Sequence, residues 1–147
     1  MSSTMHDEIF SISTQVRYVA VYRDGQLSSR SRAGTTAASG DESDKYEELF
    51  VNPTLLKLAS QRGNIDCGGL NYIIVRYGNF FQFVLPTGWG HVSVCFEPTA
   101  DPVALGGQVQ RVVQDPMASD HSFNANVMCS HENPAPGAIR PNLTSGE

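Results

Sequence analysis

The sequence predicts an α+β domain built on a five-stranded antiparallel sheet, and three features carry that prediction. Gly69–Pro98 holds three runs rich in Val, Ile, Phe and Tyr, separated by Gly78-Asn79 and by Thr87-Gly-Trp-Gly90. Branched and aromatic side chains suit a pleated, half-buried surface, and Gly-Asn tolerates the positive φ of a tight hairpin, so the stretch reads as a three-stranded meander. Val16–Arg23 and Gln26–Arg32, joined at Asp24-Gly25, read as a second hairpin. Apolar residues grouped in Tyr46–Ala59 and Val103–Val113 supply the longer helices.

In chain order, Met5–Ser13 reads as a short helix, with Met5, Ile9 and Ile12 at helical spacing and acidic residues near its start. The polar run Gln26–Arg32 belongs at a sheet edge. Ala33–Asp44 is small, polar and without period, which predicts a flexible surface loop over 33–43. Ser43 is expected to cap a helix containing Tyr46, Leu49 and Phe50, with Glu47 in its first turn. Pro53 interrupts that helix, because proline removes a hydrogen bond and clashes with the preceding turn. Asn52-Pro53 therefore reads as a fresh N-cap and first position for Thr54–Arg62, ending at Gly63-Asn64, so a kinked helix or two helices result. Within the meander, Ile73, Val75 and Tyr77 share one parity, as do Phe81, Phe83 and Leu85, and Val92, Val94 and Phe96; these sets are expected to face a common core.

Asp101 and Pro102 open a last helix that reaches Val113. Its Gly106-Gly107 pair lowers helix propensity by about 1 kcal/mol per glycine, tolerable where a helix must approach a sheet closely. Residues 115–147 lack period and accumulate Pro, Asn and Ser, so the domain is expected over 5–114, followed by a disordered or loosely packed tail.

At 147 residues, with 40% apolar and 17% charged residues, the chain can bury one core. Its formal charge of −5 argues against general nucleic-acid binding, which draws on clustered Lys and Arg. No apolar run approaches the roughly 20 residues of a membrane span. Met1–Phe10 lacks the positive start and apolar middle of a secretory signal, so a cytoplasmic location is expected. Cys67, Cys95 and Cys129, without a CxxC, fit reduced thiols.

The order helix, strand, Asp-Gly hairpin, strand, long helix, meander, helix resembles the roadblock/LC7 domain, and more broadly the profilin-like and longin-like α/β/α sandwiches. The residues that carry it are Val19-Ala-Val-Tyr-Arg-Asp-Gly-Gln-Leu-Ser-Ser, Leu70–Glu97 and Pro102-Val-Ala-Leu-Gly-Gly-Gln-Val-Gln-Arg-Val-Val. The resemblance covers about 7–113, and it departs from the family in a longer Gly/Ser-rich loop and in Pro53. It implies a strand order 2-1-5-4-3, with the long helix on one face and the terminal helices on the other. It also implies a non-enzymatic homodimer, paired through the first meander strand with the long helices side by side, that regulates or scaffolds a small Ras-like GTPase or another protein partner. The interface would then use Leu55, Leu56 and Leu58 of the helix and Leu70, Tyr72, Ile74 and Arg76 of the strand. An apolar edge strand needs a cover, whether a second copy or a loop or tail of the same chain.

Site chemistry offers less. His91 and Cys95 share a strand face but lie about 13 Å apart along it, too far for one zinc ion. Cys129-Ser-His131 with His121 is a weak cluster in the tail, so no metal and no cofactor is expected. No Walker A loop, nucleophile elbow or H-E-x-x-H is present. Asp41, Glu42, Asp44, Glu47 and Glu48 form an acidic bank, read as a solvated helix start. Trp89 at a turn tip is an interaction anchor or folds back onto the sheet. The alternative function is a profilin-like or PAS-like sensory module holding a small ligand between sheet and helices, with Tyr72, His91 and Trp89 as its suggestive residues.

Overall fold

Five antiparallel strands form one sheet in the order β2-β1-β5-β4-β3, where β1 is Val16–Arg23, β2 Gln26–Ser31, β3 Ile73–Arg76, β4 Phe81–Thr87 and β5 Gly90–Phe96. The computed structural model describes residues 2–35 and 39–114. The tail over 115–147, with His121, Cys129 and His131, lies outside the described residues, as does part of the expected 33–43 loop. Both edge assignments hold, with the polar β2 at one end and the meander's first strand at the other. Asp24 (φ 50°) and Gly25 (φ 81°) make the β1–β2 turn, the conformation that Asp-Gly favours in a two-residue hairpin. Among the described residues no helix is long and apolar enough to cross a membrane.

The main core lies between the sheet and the two terminal helices, α1 (Met5–Phe10) and α4 (Pro102–Gln114). Ile9, Val19, Phe83, Val92, Val94, Phe96 and Val109 are fully buried there, each worth about 1.5–3 kcal/mol for a large aliphatic or aromatic side chain. Val16 joins this face although it precedes Arg17 and Tyr18, because a bulge at Arg17 resets the alternation: Val16 pairs with Phe96 and Tyr18 with Cys95. α1 is held by a capping box. The Thr4 hydroxyl accepts from the Asp7 N–H, and the Asp7 carboxylate accepts from the Thr4 N–H at 3.0 Å. Hydrogen bonds from Thr4, aided by Arg30 at 2.8 Å, hold the Asp7 carboxyl down at about 2.

α4 starts as expected, with Asp101 Oδ1 accepting from the Val103 and Ala104 N–H groups at 3.1 Å. Its two glycines differ in role. A Cβ on Gly106 would lie 2.4 Å from the buried Phe83 ring, whereas one on Gly107 would meet nothing within 4 Å. We expect Gly106→Ala to lower stability by about 1–3 kcal/mol through overpacking. Gly107→Ala should raise stability by about 0.5–1 kcal/mol. Equal urea midpoints for the two variants would remove the close-approach explanation.

Several local expectations are corrected. The long helical run begins at Asp41, with Gly40 at its N-cap, so Ser43 lies inside the first turn and caps nothing. Asn52 is not an N-cap: Val51 and Asn52 both have right-handed helical dihedrals, so the helix that starts at Asn52, with Pro53 in its first turn, continues directly from the turn before it. α2 (Asp41–Tyr46), a π turn (Glu47–Val51) and α3 (Asn52–Asp66) follow one another without a break. The wider π turn, closed by the Asn52 N–H on the Glu47 carbonyl, accommodates the ring and the missing donor of Pro53. Gly63 does not end α3 but is buried in it, where a Cβ would lie 3.0 Å from the returning backbone at Gly69.

The first meander strand is only Ile73–Arg76, not Leu70–Tyr77, and its parity is inverted. Ile74 pairs with Phe83, so Ile74 and Tyr72 join the main core, whereas Ile73 and Val75 oppose Val84 and Gln82 on the other face. The Gly78-Asn79 turn contains no positive φ.

Candidate functional site

The face of the sheet opposite the terminal helices carries an unusual set of side chains: Tyr18, Ala20, Gln82, His91, Ser93 and Cys95. Gln82 donates to the Ser93 hydroxyl, and the Cys95 thiol donates to Gln82 Oε1 at 3.0 Å. Burial pushes that thiol well above its ordinary value. The long helix meets this polar floor with polar residues of its own. Glu48 and Asn52, one turn apart, both point inward and are fully buried. Glu48 Oε2 lies 2.7 Å from His91 Nε2 and accepts from Asn52 Nδ2 at 3.1 Å, and His91 stacks on Tyr22 at 5.3 Å. Glu48 Oε1 has no hydrogen-bond partner among the described residues.

Beside this cluster, a cavity of about 300 Å³ opens between the helix and the sheet. Asp44 and Glu47 line it from the helix, Glu48 and Tyr18 lie at its floor, and Tyr77 and Phe80 close the β3–β4 side. The Tyr77 hydroxyl donates to Glu47 Oε1 at 3.0 Å; burial, and then this bond, push Tyr77 up to about 12. Burial raises the Asp44 and Glu47 carboxyls, and the Glu48 charge adds to the effect in both. The acidic bank is therefore split: Asp41 and Glu42 are exposed as expected, Asp44 and Glu47 are half-buried, and Glu48 is sealed from solvent.

The helix turns apolar side chains outward. Tyr46, Phe50, Leu58 and Ile65 are 62%, 61%, 62% and 76% exposed, and Tyr46 and Phe50 lie against each other at 5.5 Å. Of the residues anticipated from the sequence, Leu58 is exposed, Leu55 half-buried and Leu56 buried. Leu70 is half-buried, Tyr72 packs on Phe83 at 5.1 Å, Ile74 packs on the core, and Arg76 is exposed over the Phe81 ring at 4.8 Å. Trp89 is half-buried against the main core under the Arg23 guanidinium, 4.2 Å away. Tyr72 and Trp89 lie on the terminal-helix side and His91 on the other, so the three residues of the sensory reading do not converge.

Tyr46, Leu49 and Phe50 were read only as helix residues and not as an exposed surface, and Ile65 and the Glu48–Asn52–His91 cluster were not singled out. The signal was the i,i+4 series Glu48, Asn52, Leu56, which marks one helix face and turns out to be the inward one.

No protein-family model matches the chain, and no curated protein is significantly similar to it. Solved structures are similar. The roadblock/LC7 domain from Streptomyces avermitilis is 18% identical, with 69% of this chain and 82% of that one covered and a TM-score of 0.52. The gliding protein MglB from Thermus thermophilus is 12% identical, with 78% and 95% covered and a TM-score of 0.50. With its 2-1-5-4-3 sheet and the matching order of helices, the chain has the roadblock/LC7 fold.

Proposed function

We propose that the chain forms a homodimer through its long helix and the β3 edge, and that the pair serves as a non-enzymatic regulatory or scaffold domain for a small Ras-like GTPase. One observation carries the dimer: Tyr46, Phe50, Leu58 and Ile65 stand exposed along one helical run whose inward side is partly polar. An apolar surface of this kind on a small soluble domain marks a protein contact. A two-fold axis lets one self-complementary surface cover both copies. Leu55 and Leu58 would lie within that surface, and Ile74 and Arg76 belong to β3, with Leu70 and Tyr72 in the segment just before it; the outward backbone groups of β3 can accept a second strand. Leu56 supports the helix from beneath. The GTPase assignment rests on the fold and on the resemblance in the sequence, and a cytoplasmic location accords with it.

Light scattering on the purified chain at micromolar concentration should give twice the monomer mass; a strict monomer would overturn the dimer. Incubation with the Ras-like GTPases of the same genome should give binding or a changed hydrolysis rate. No response from any of them would leave scaffolding of another protein.

A further inference from the structure

We propose that the cavity between the long helix and the sheet binds the ammonium or guanidinium group of a small organic cation. The inference does not rest on the dimer, because the cavity lies beneath the helix and within one copy. Its volume, about 300 Å³, stands at the lower end of the range for small-molecule sites. Its walls combine the two features that recognise organic cations. Asp44 and Glu47 provide acceptors from the helix, while Tyr18, Tyr77 and Phe80 offer aromatic surface from the sheet.

Glu48 separates this arrangement from an ordinary acidic surface. It is wholly buried at the cavity floor, its Oε2 is engaged by His91 and Asn52, and its Oε1 has no partner among the described residues. A buried carboxylate oxygen without a donor is costly, and a cation above it would offset that cost. Burial and the Glu48 charge already disfavour ionisation of Asp44 and Glu47, so a positive guest relieves both groups. Arg17, beyond Phe80, is paired with Glu97 at 3.0 Å and stands 5.6 Å from the Phe80 ring centroid.

The same group is offered by a free diamine or by a lysine or arginine side chain of another protein, and calorimetry on the full chain distinguishes them. Putrescine and agmatine represent the free cation, the tripeptide Gly-Lys-Gly represents the side chain, and butanediol is the neutral control. Binding of either cationic class, with none of butanediol, is the expected result and identifies the source. The variant Asp44→Asn with Glu47→Gln should weaken binding at least about tenfold, as expected for two charge-assisted contacts. Asp41→Asn with Glu42→Gln removes the same net charge from the exposed side of the same run and should change affinity less than about twofold. Equal losses in the two variants, equal binding of butanediol, displacement of the cations by magnesium ions, or no binding by any probe at millimolar concentration would overturn the proposal.

Discussion

Aspartate at Phe50 and Leu58 converts the proposed dimer to monomer, raising its dissociation constant at least about a hundredfold. Truncating a central apolar contact typically removes about 2 kcal/mol or more of binding energy, and burying a carboxylate in its place adds a desolvation cost. Two-fold symmetry counts each substitution twice. Both side chains are largely exposed in the single copy, so the fold of that copy should change by no more than about 0.5 kcal/mol. Val103→Asp is the control: Val103 is as exposed as Phe50 and Leu58 but stands on α4, across the sheet from the long helix. Light scattering over a dilution series, with circular dichroism to confirm folding, reads the result. If the Val103 variant dissociates like the double variant, or if the double variant stays dimeric, the long helix is not the interface.

The second large effect is expected inside the fold. His91→Leu keeps an apolar body against Tyr22 but strips Glu48 of its closest partner, leaving a buried carboxyl with Asn52 alone. Leaving a buried polar group without its hydrogen-bond partner costs about 1–3 kcal/mol. That is a large share of the roughly 5–15 kcal/mol that holds a domain folded. Adding Glu48→Leu should restore at least half of the loss, because the penalty comes from the stranded carboxyl and not from missing packing. Urea unfolding at one fixed protein concentration measures both variants, since dimerisation would otherwise shift the midpoints. A single variant within about 1 kcal/mol of the parent, or a double variant weaker than the single one, would show that the pair is not the principal link between helix and sheet.

Much of the architecture was legible because it follows from local rules. Asp24-Gly25 specifies its own turn through a positive φ at both positions, and Asp101-Pro102 specifies a helix start. The runs around Phe83 and Val94 alternate, so their inward faces were readable. The Thr4–Asp7 capping box was legible too, by its spacing, although it went unread. Where local signals were weak, the reading slipped. Leu70–Tyr77 is apolar at nearly every position, so its parity could not be drawn from its pattern; pairing of Ile74 with Phe83 sets it instead.

The long helix shows why the functional surface was harder to read than the fold. A proline in a helical run permits a break, a kink or a π turn, and only packing on the sheet selects among them. The π turn over Glu47–Val51 adds a residue to one turn and so rotates everything after it relative to everything before. Glu48, Asn52 and Leu56 point inward, while Tyr46, Phe50, Leu58 and Ile65 point out. The usual assumption that apolar residues face in misplaces this helix, because the sheet face beneath it is itself polar, with Gln82, His91 and Ser93 buried there.

The sequence by itself determined the element order, the polar edge strand, the hairpin at Asp24-Gly25 and the start of the last helix, each from residues near in the chain, while the second sheet edge was what the family resemblance implied. The tertiary structure alone decided which way the long helix faces, that Glu48 meets His91 across 43 residues, and that Asp44, Glu47 and Tyr77 enclose one cavity. The physical reason is range. Turns and caps are settled within a few residues by backbone dihedrals and local hydrogen bonds, whereas the orientation of a helix over a sheet depends on partners that no local pattern specifies.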